Sequence, residues 1–369
     1  MAVARKPVLK GEDGGEACEP LGSAQGRLEF TRALMDWGRK HGRVGLPWQV
    51  RDGYSVWVSE VMLQQTQVET VKKYYEKFMA LWPTVEALAN AAEDQVLAAW
   101  AGLGYYRRAK FLRKGALHVM ESLGGHMPKT ASELALLPGI GRSTAAAIAS
   151  IAHGQRVAIM DGNVARVLAR HWAMSEDVGT ASAQKKLWAT AESLVSEEDA
   201  GFYTQSIMDL GATVCAPKAP KCGACPMAGS CQALALGRPE GYPIKEKKEK
   251  ERRVEREIWR VAHDGNRIAL MKNEAETGVW QSMIVFGLLG EDSGRIQDRW
   301  SFKHVFSHYD LHVEVILCLM DPPALEKEVE KRGLMAETPE HAFNLALPKP
   351  VRDVLERIQK HHKEGKEKP

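Results

Sequence analysis

The chain carries two rhythms of apolar and polar positions. From Arg27 to Thr213 the rhythm is helical. Leu28, Phe30, Leu34 and Trp37 share one face of a helix over Arg27–His41. A break at Leu46-Pro47-Trp48-Gln49 precedes Tyr54–Gln67, largely apolar but interrupted by Glu60, Gln64 and Gln65. Helices are then predicted over Val68–Ala80, Val85–Ala91, Asp94–Ala101, Lys110–Met120, Ser143–Ile151, Leu187–Val195 and Phe202–Thr213. After Glu257 the period shortens. Ile258–Ala262 and Ile268–Met271 flank Asp264-Gly265-Asn266, a hairpin signal. Leu311, Val313, Val315 and Leu317 alternate with His312, Glu314 and Ile316, a further strand with one imperfect polar position. Leu325–Arg332 and Pro350–His361 read as helices. Residues 1–26 lack periodicity and read as a mobile tail with Cys18 a free thiol. The charge-alternating stretch 237–257 reads as an exposed linker.

Composition narrows this picture in three ways. A length of 369 residues suits two or three domains. The net charge of +3 means that any nucleic-acid surface is a local patch, not a global field. No apolar run approaches the ~20 residues of a membrane span, and the opening MAVARKPVLK lacks a signal-peptide core. A cytoplasmic, nucleoid-associated bacterial protein without a membrane is therefore expected.

Chemistry concentrates first at Leu137–Arg170. Thr130-Ala131-Ser132-Glu133 forms a capping box. Leu137-Pro138-Gly139-Ile140-Gly141 is a tight turn ahead of a small-residue helix, whose free N–H groups and dipole suit a phosphate. Alone, a glycine pair between helices is commonly just a connection. An acid, Asp161, follows in Met160-Asp161-Gly162-Asn163, just before another helix. Upstream, Glu60 lies in an apolar setting with Trp57, Val61, Met62 and Leu63, where a carboxyl can serve as a general acid. A surface glutamate and a helix-capping aspartate are the plain alternatives. Gly102-Leu103-Gly104 precedes Tyr105-Tyr106-Arg107-Arg108-Ala109-Lys110, aromatics beside cations on a glycine turn, as base stacking and phosphate neutralisation require.

The cysteines are the most specific signal. Cys215, Cys222, Cys225 and Cys231 form a C-x6-C-x2-C-x5-C run. Zinc sites favour paired short spacings; one compact run suits a cubane iron–sulfur cluster better. Lys218 and Lys221 make a basic knob between the first two cysteines, read as a phosphate contact.

Together, Leu46-Pro47-Trp48, VWVSEVMLQQTQV (56–68), GLGYY (102–106), LPGIGRSTA (137–145), MDGNVARV (160–167) and the four cysteines resemble the helix–hairpin–helix DNA glycosylases, and within them the MutY-type adenine glycosylases. The resemblance covers Arg27–Cys231 and, more weakly, Glu257 onward. It implies a mainly α, two-lobed catalytic domain over 27–236, with a six-helix module at about 54–157 and a cluster lobe of 27–53 plus 158–236. A linker (237–257) then leads to an α/β Nudix-like domain over 258–362. It also implies a [4Fe–4S] cluster on Cys215, Cys222, Cys225 and Cys231. The substrate would be adenine opposite 8-oxoguanine, or guanine, in duplex DNA.

On that reading Glu60 and Asp161 face each other across a cleft between lobes. Glu60 protonates adenine, Asp161 stabilises the oxocarbenium-like sugar and Asn163 orients it. Trp48, Gln64 and Gln205 line the base pocket, and Tyr105 wedges into the stack. Phe306, Ser307 and His308 match the loop that recognises 8-oxoguanine, and Gly139 and Gly141 hold phosphate. Ser143 occupies, near the substrate, the place where endonuclease-III-like relatives carry a Schiff-base lysine, so a monofunctional glycosylase is expected. The appended domain lacks the acidic REUXEE box, so no pyrophosphate hydrolysis is expected. Gly278–Met283 and Phe286-Gly287 depart from the family pattern. A monomer with replication-clamp or mismatch-repair contacts fits the family. The alternatives are an endonuclease-III-like pyrimidine glycosylase and a non-catalytic iron–sulfur DNA-binding protein.

Overall fold

The computed structural model describes residues 19–246, 251–275, 278–288, 290 and 294–366. Cys18 and the tail before it lie outside the described residues. The helices up to residue 235 are α1 (Ala24–His41), α2 (Gly53–Leu63), α3 (Val68–Leu81), α4 (Val85–Asn90), α5 (Glu93–Trp100), α6 (Arg107–Leu123), α7 (Ala131–Leu134), α8 (Arg142–His153), α9 (Gly162–His171), α10 (Ala181–Leu194), α11 (Ala200–Thr213) and α12 (Gln232–Ala235). The chain forms two compact units, one of residues 1–44 and 145–247, the other of 45–144 and 248–369.

In the first unit, Phe30, Leu34 and Trp37 of α1 pack with Val167 and Leu168 of α9, Leu187 and Leu194 of α10, and Tyr203, Ile207 and Leu210 of α11. Two glycines set helix spacing here. A Cβ on Gly38 would lie 2.2 Å from Ser206 Oγ, and one on Gly211 would lie 2.8 Å from Asn163 Cβ. The first helix starts inside the stretch read as tail, at Ala24, because the Ser23 side chain accepts from Gly26 N–H and caps it. Leu21 is also tied down, its N–H donating to Thr190 Oγ1 at 2.8 Å. The front of the supposed linker is likewise docked. Arg170 Nε donates to the Tyr242 carbonyl at 3.0 Å, and Val178 N–H to the Ile244 carbonyl at 3.1 Å.

In the second unit, α2 is apolar nearly all round. Tyr54, Val56, Trp57, Val58, Val61 and Met62 are all buried, as befits a helix enclosed by others. Phe78, Leu97, Trp100 and Leu112 complete that core. The same unit contains a mixed sheet of β1 (Arg253–His263), β2 (Ile268–Lys272), β3 (Ile284–Phe286), β4 (Arg295–Val305), β5 (Tyr309–Leu319) and β6 (Met335–Glu337), with helices α13 (Pro322–Arg332), α14 (Pro339–Ala342) and α15 (Lys349–Lys366). Strand order is β3-β2-β1-β5-β4, with β6 on β2. The β1–β5 pair is parallel and the others are antiparallel.

The β1–β2 hairpin forms where the Asp-Gly-Asn signal placed it. Asp264 Oδ1 accepts from the N–H of Asn266 and Arg267. Val351, Val354, Leu355 and Ile358 of α15 cover one sheet face, whereas Leu325 of α13 packs with Ala262 and Ala269 on the other. Ile316, the position that spoiled the alternation of β5, is only 2 % exposed. The strand β1 starts at Arg253, inside the predicted linker, and β4 was not expected at all. The first half of β1 is mostly exposed, and β4 alternates exposed with half-buried residues, so neither stretch carries a clean apolar stripe.

Candidate active site and cysteine cavity

Each unit holds some of the candidate residues. In the second unit the capping box forms as its residues dictate: Thr130 Oγ1 accepts from Glu133 N–H, and the Glu133 carboxylate accepts from Thr130 N–H. The hairpin turn then places Gly139 at φ +80°, where a Cβ would lie 2.5 Å from Phe111 Cβ. Gly141 has no such neighbour and sits just before α8. Glu60 is half-buried on α2, between residues that are all but sealed. Gln64 caps the end of that helix, and its Nε2 donates to Thr144 Oγ1 at 3.3 Å. Trp48 is 6 % exposed and packs edge-on against Tyr75 at 5.4 Å. Ser143 is half-buried in the first turn of α8.

A cavity of about 760 Å³ in this unit brings distant predictions together. Gln64, Tyr105 and Gly139 line it from the helical part; Phe306, Ser307 and His308 line it from the β4–β5 turn. That turn is tight, with Phe306 N–H donating to the Tyr309 carbonyl at 2.9 Å. Phe306 stacks on Tyr309, and Ser307 and His308 are exposed. Tyr105 is 50 % exposed at φ +48°, a conformation that L side chains rarely adopt. The helical part and the sheet are joined nearby, where Tyr106 Oη donates to the Leu347 carbonyl at 3.1 Å.

The basic side chains after Tyr105 are less free than their sequence implied. Arg108 turns inward, donating to the carbonyls of Val61, Met62, Gln64, Leu103 and Gly104. Burial lowers its guanidinium to about 10, which leaves it charged at neutral pH. Lys110 donates to Ser282 Oγ at 2.8 Å and pairs with Glu93 at 3.5 Å. Two of the three presumed phosphate cations are thus structural ties. Arg107 remains exposed, over the Phe111 ring.

Two further cavity residues, Trp280 and His304, lie in stretches noted in the sequence but were not assigned to the site. Trp280, at φ +60°, packs 5.4 Å from the Phe306 ring and 6.2 Å from the His304 ring. Burial holds the His304 imidazole below its ordinary value. In the sequence Trp280 stood out only as part of the departure from the family pattern at Gly278–Met283.

In the first unit Asp161 is the N-cap of α9. Its carboxylate accepts from Asn163 N–H (2.9 Å), Val164 N–H (2.7 Å) and Asn163 Nδ2 (3.2 Å), yet the residue stays exposed. Asn163 Oδ1 accepts from Arg166 Nη2 at 2.8 Å, so this pair is held on both sides. Gln205 is half-buried on α11.

Cys215, Cys222, Cys225 and Cys231 line one cavity with Phe30, Val167, Leu210 and Met227. Burial pushes the Cys225 thiol up to about 11, and the other three thiols add to that effect. Arg170 fixes the loop by donating to the carbonyls of Ala216 (2.6 Å) and Pro217 (2.9 Å) and to Cys215 Sγ (3.4 Å). Lys218 and Lys221 are exposed on it. Among the described residues, no three His, Cys, Asp or Glu side chains converge as a single metal ion would need. No described helix is long and apolar enough to cross a membrane.

Residues 58–193 match the HhH-GPD superfamily of base excision DNA repair proteins. A solved thermostable thymine-DNA glycosylase shares the fold, with a TM-score of 0.51 and 28 % identity over 57 % of this chain and 98 % of its own. The fold and the hairpin therefore define the class, a helix–hairpin–helix base-excision repair protein. Within that class, the adenine DNA glycosylase of Buchnera aphidicola (from Acyrthosiphon pisum) is 34 % identical over 90 % of this chain and 98 % of its own length. The human adenine DNA glycosylase is 49 % identical over 58 % of this chain and 42 % of its own. The chain belongs to the adenine DNA glycosylase family.

Proposed function

We propose that this protein is a base-excision repair enzyme that hydrolyses the N-glycosidic bond of adenine mispaired with 8-oxoguanine in duplex DNA. The observation that carries the choice of mispair is the cavity shared by Gln64, Tyr105 and the Phe306–His308 turn. Residues more than two hundred positions apart line one space, open enough for a base and rimmed by the exposed Ser307 and His308. A Nudix-like domain over 258–362 would thus read the oxidised base while the helical part handles its partner.

A stacked adenine is out of reach, so it must leave the duplex before reaction. Tyr105 fills the gap. Adenine is a poor leaving group, and Glu60, in its apolar surroundings, supplies the proton that releases it. The sugar then carries positive charge, which Asp161 stabilises from a position fixed by three N–H bonds. Asn163 orients the sugar, and Trp48 and Gln205 complete the base pocket. The N-terminus of α8, with Gly139, Gly141 and Ser143, holds the phosphate backbone, as do Lys218 and Lys221. Ser143 offers no amine for Schiff-base attack, so the reaction stops at an abasic site.

The four cysteines fit a [4Fe–4S] cluster. Four thiols around an otherwise apolar cavity match the donor set, and their single compact spacing suits a cluster better than a lone zinc ion. When bound, the cluster would supply a cross-link between Cys215, just after α11, and the loop of Cys222, Cys225 and Cys231, together with a one-electron redox centre. Arg166 and Arg170 keep the loop in place with or without it.

Single-turnover adenine release from 8-oxoguanine:A, G:A and pyrimidine-lesion duplexes tests the proposal. Release of adenine, fastest opposite 8-oxoguanine and without strand nicking before base treatment, is expected. Pyrimidine release, or rapid nicking of abasic DNA, would point to the endonuclease-III-like alternative.

A further inference from the structure

His171 ends α9, immediately after the arginine that ties down the cysteine loop. It is 6 % exposed, wedged edge-on against Phe30 at 4.9 Å and Trp172 at 4.5 Å. It lines the cysteine cavity. Its Nδ1 is fully buried and has no hydrogen-bond partner. Buried polar atoms are nearly always paired, so an orphan at a cavity wall points to whatever fills the cavity. The neighbouring walls are apolar, and the other side chains turned to the space are thiols and Arg170.

We infer that His171 donates a hydrogen bond from its imidazole N–H to a sulfur of the iron–sulfur cluster and thereby raises the cluster's reduction potential. The inference rests on the cluster reading above. Hydrogen bonds to cluster sulfurs are among the main levers on its potential, because they stabilise the more negatively charged state. An imidazole is well suited to the task here: Phe30 and Trp172 fix its ring plane, and Arg170, one residue earlier, holds the helix end against Ala216 and Pro217. Nothing in the sequence pattern marks this role, since a histidine at a helix end normally answers to the helix dipole.

The test is the midpoint potential of the intact protein by film voltammetry, with iron and sulfide content measured on the same samples. His171→Phe keeps the ring packing and removes the donor. It should retain iron and sulfide but shift the reduction equilibrium about tenfold toward the oxidised form, ~59 mV for one electron. His171→Asn, which keeps an N–H donor, should recover part of that shift. In unsubstituted protein labelled with 15N-histidine, electron–nuclear double resonance of the paramagnetic cluster should show one coupled histidine nitrogen. A fully loaded His171→Phe protein with an unchanged potential, or no histidine coupling in the labelled protein, overturns the inference. Wild-type protein that carries zinc, or neither iron nor sulfide, overturns the cluster reading and the inference with it.

Discussion

Arg108 donates to the Gln64 carbonyl at 2.6 Å, across forty-four residues of sequence. The same guanidinium serves Val61 and Met62, so one planar cation closes the C-terminal end of α2, four residues beyond Glu60. Helix ends leave carbonyls unpaired, and a buried end needs such a partner. The residue that closes the helix carrying Glu60 and ties down the Gln64 backbone is therefore an arginine that looked like a DNA contact.

Arg108→Lys is expected to destabilise the protein by about 2–3 kcal/mol, because one ammonium cannot serve five carbonyls in the guanidinium's geometry. Chemical unfolding followed by circular dichroism checks this. A variant as stable as wild type would return Arg108 to the DNA surface.

The two hairpin glycines should separate folding from binding. Gly139→Ala forces a Cβ against Phe111 at φ +80° and should cost about 1–3 kcal/mol of stability. Gly141→Ala meets nothing within 4 Å, so its melting temperature should be unchanged. Loss of duplex affinity in Gly141→Ala at unchanged stability would mark a direct phosphate approach. Unchanged affinity in a filter-binding titration would remove Gly141 from the interface.

Asp161 both caps α9 and is assigned to the chemistry, and asparagine distinguishes the roles. Asn caps helices about as well as Asp. Asp161→Asn should therefore stay within about 0.5 kcal/mol of wild-type stability while single-turnover adenine release falls roughly a thousandfold. Glu60→Gln should lose about a hundred- to ten-thousandfold. Near-normal rates in Asp161→Asn would leave the residue as a cap only.

Ser307 and His308 are exposed on a turn, hydrogen-bonded to each other at 3.3 Å, with the His308 ring edge-on to Tyr309 at 4.8 Å. Replacing both with Ala should leave folding intact and reduce the preference for 8-oxoguanine:A over G:A by roughly three- to tenfold, the worth of one or two hydrogen bonds. The ratio of single-turnover rates on the two duplexes is the readout. An unaltered ratio would remove the turn from lesion recognition.

What the sequence determined by itself is local. The capping box at Thr130, the turn at Gly139, the Asp161 cap and the β1–β2 hairpin all follow from interactions within a few residues, and they form as read. Where cues were misread, the missing partner was remote. The segment at Leu21 and the stretch 237–246 looked loose because the groups that hold them, Thr190, Arg170 and Val178, lie far along the chain. Tertiary structure alone decided that Arg108 and Lys110 turn inward, that Trp280 backs Phe306, and that Gln64 and Ser307 line one cavity. Local propensity fixes which face an element buries. Which distant carbonyl or ring it meets there depends on chain closure over tens to hundreds of residues, and no short-range pattern encodes that.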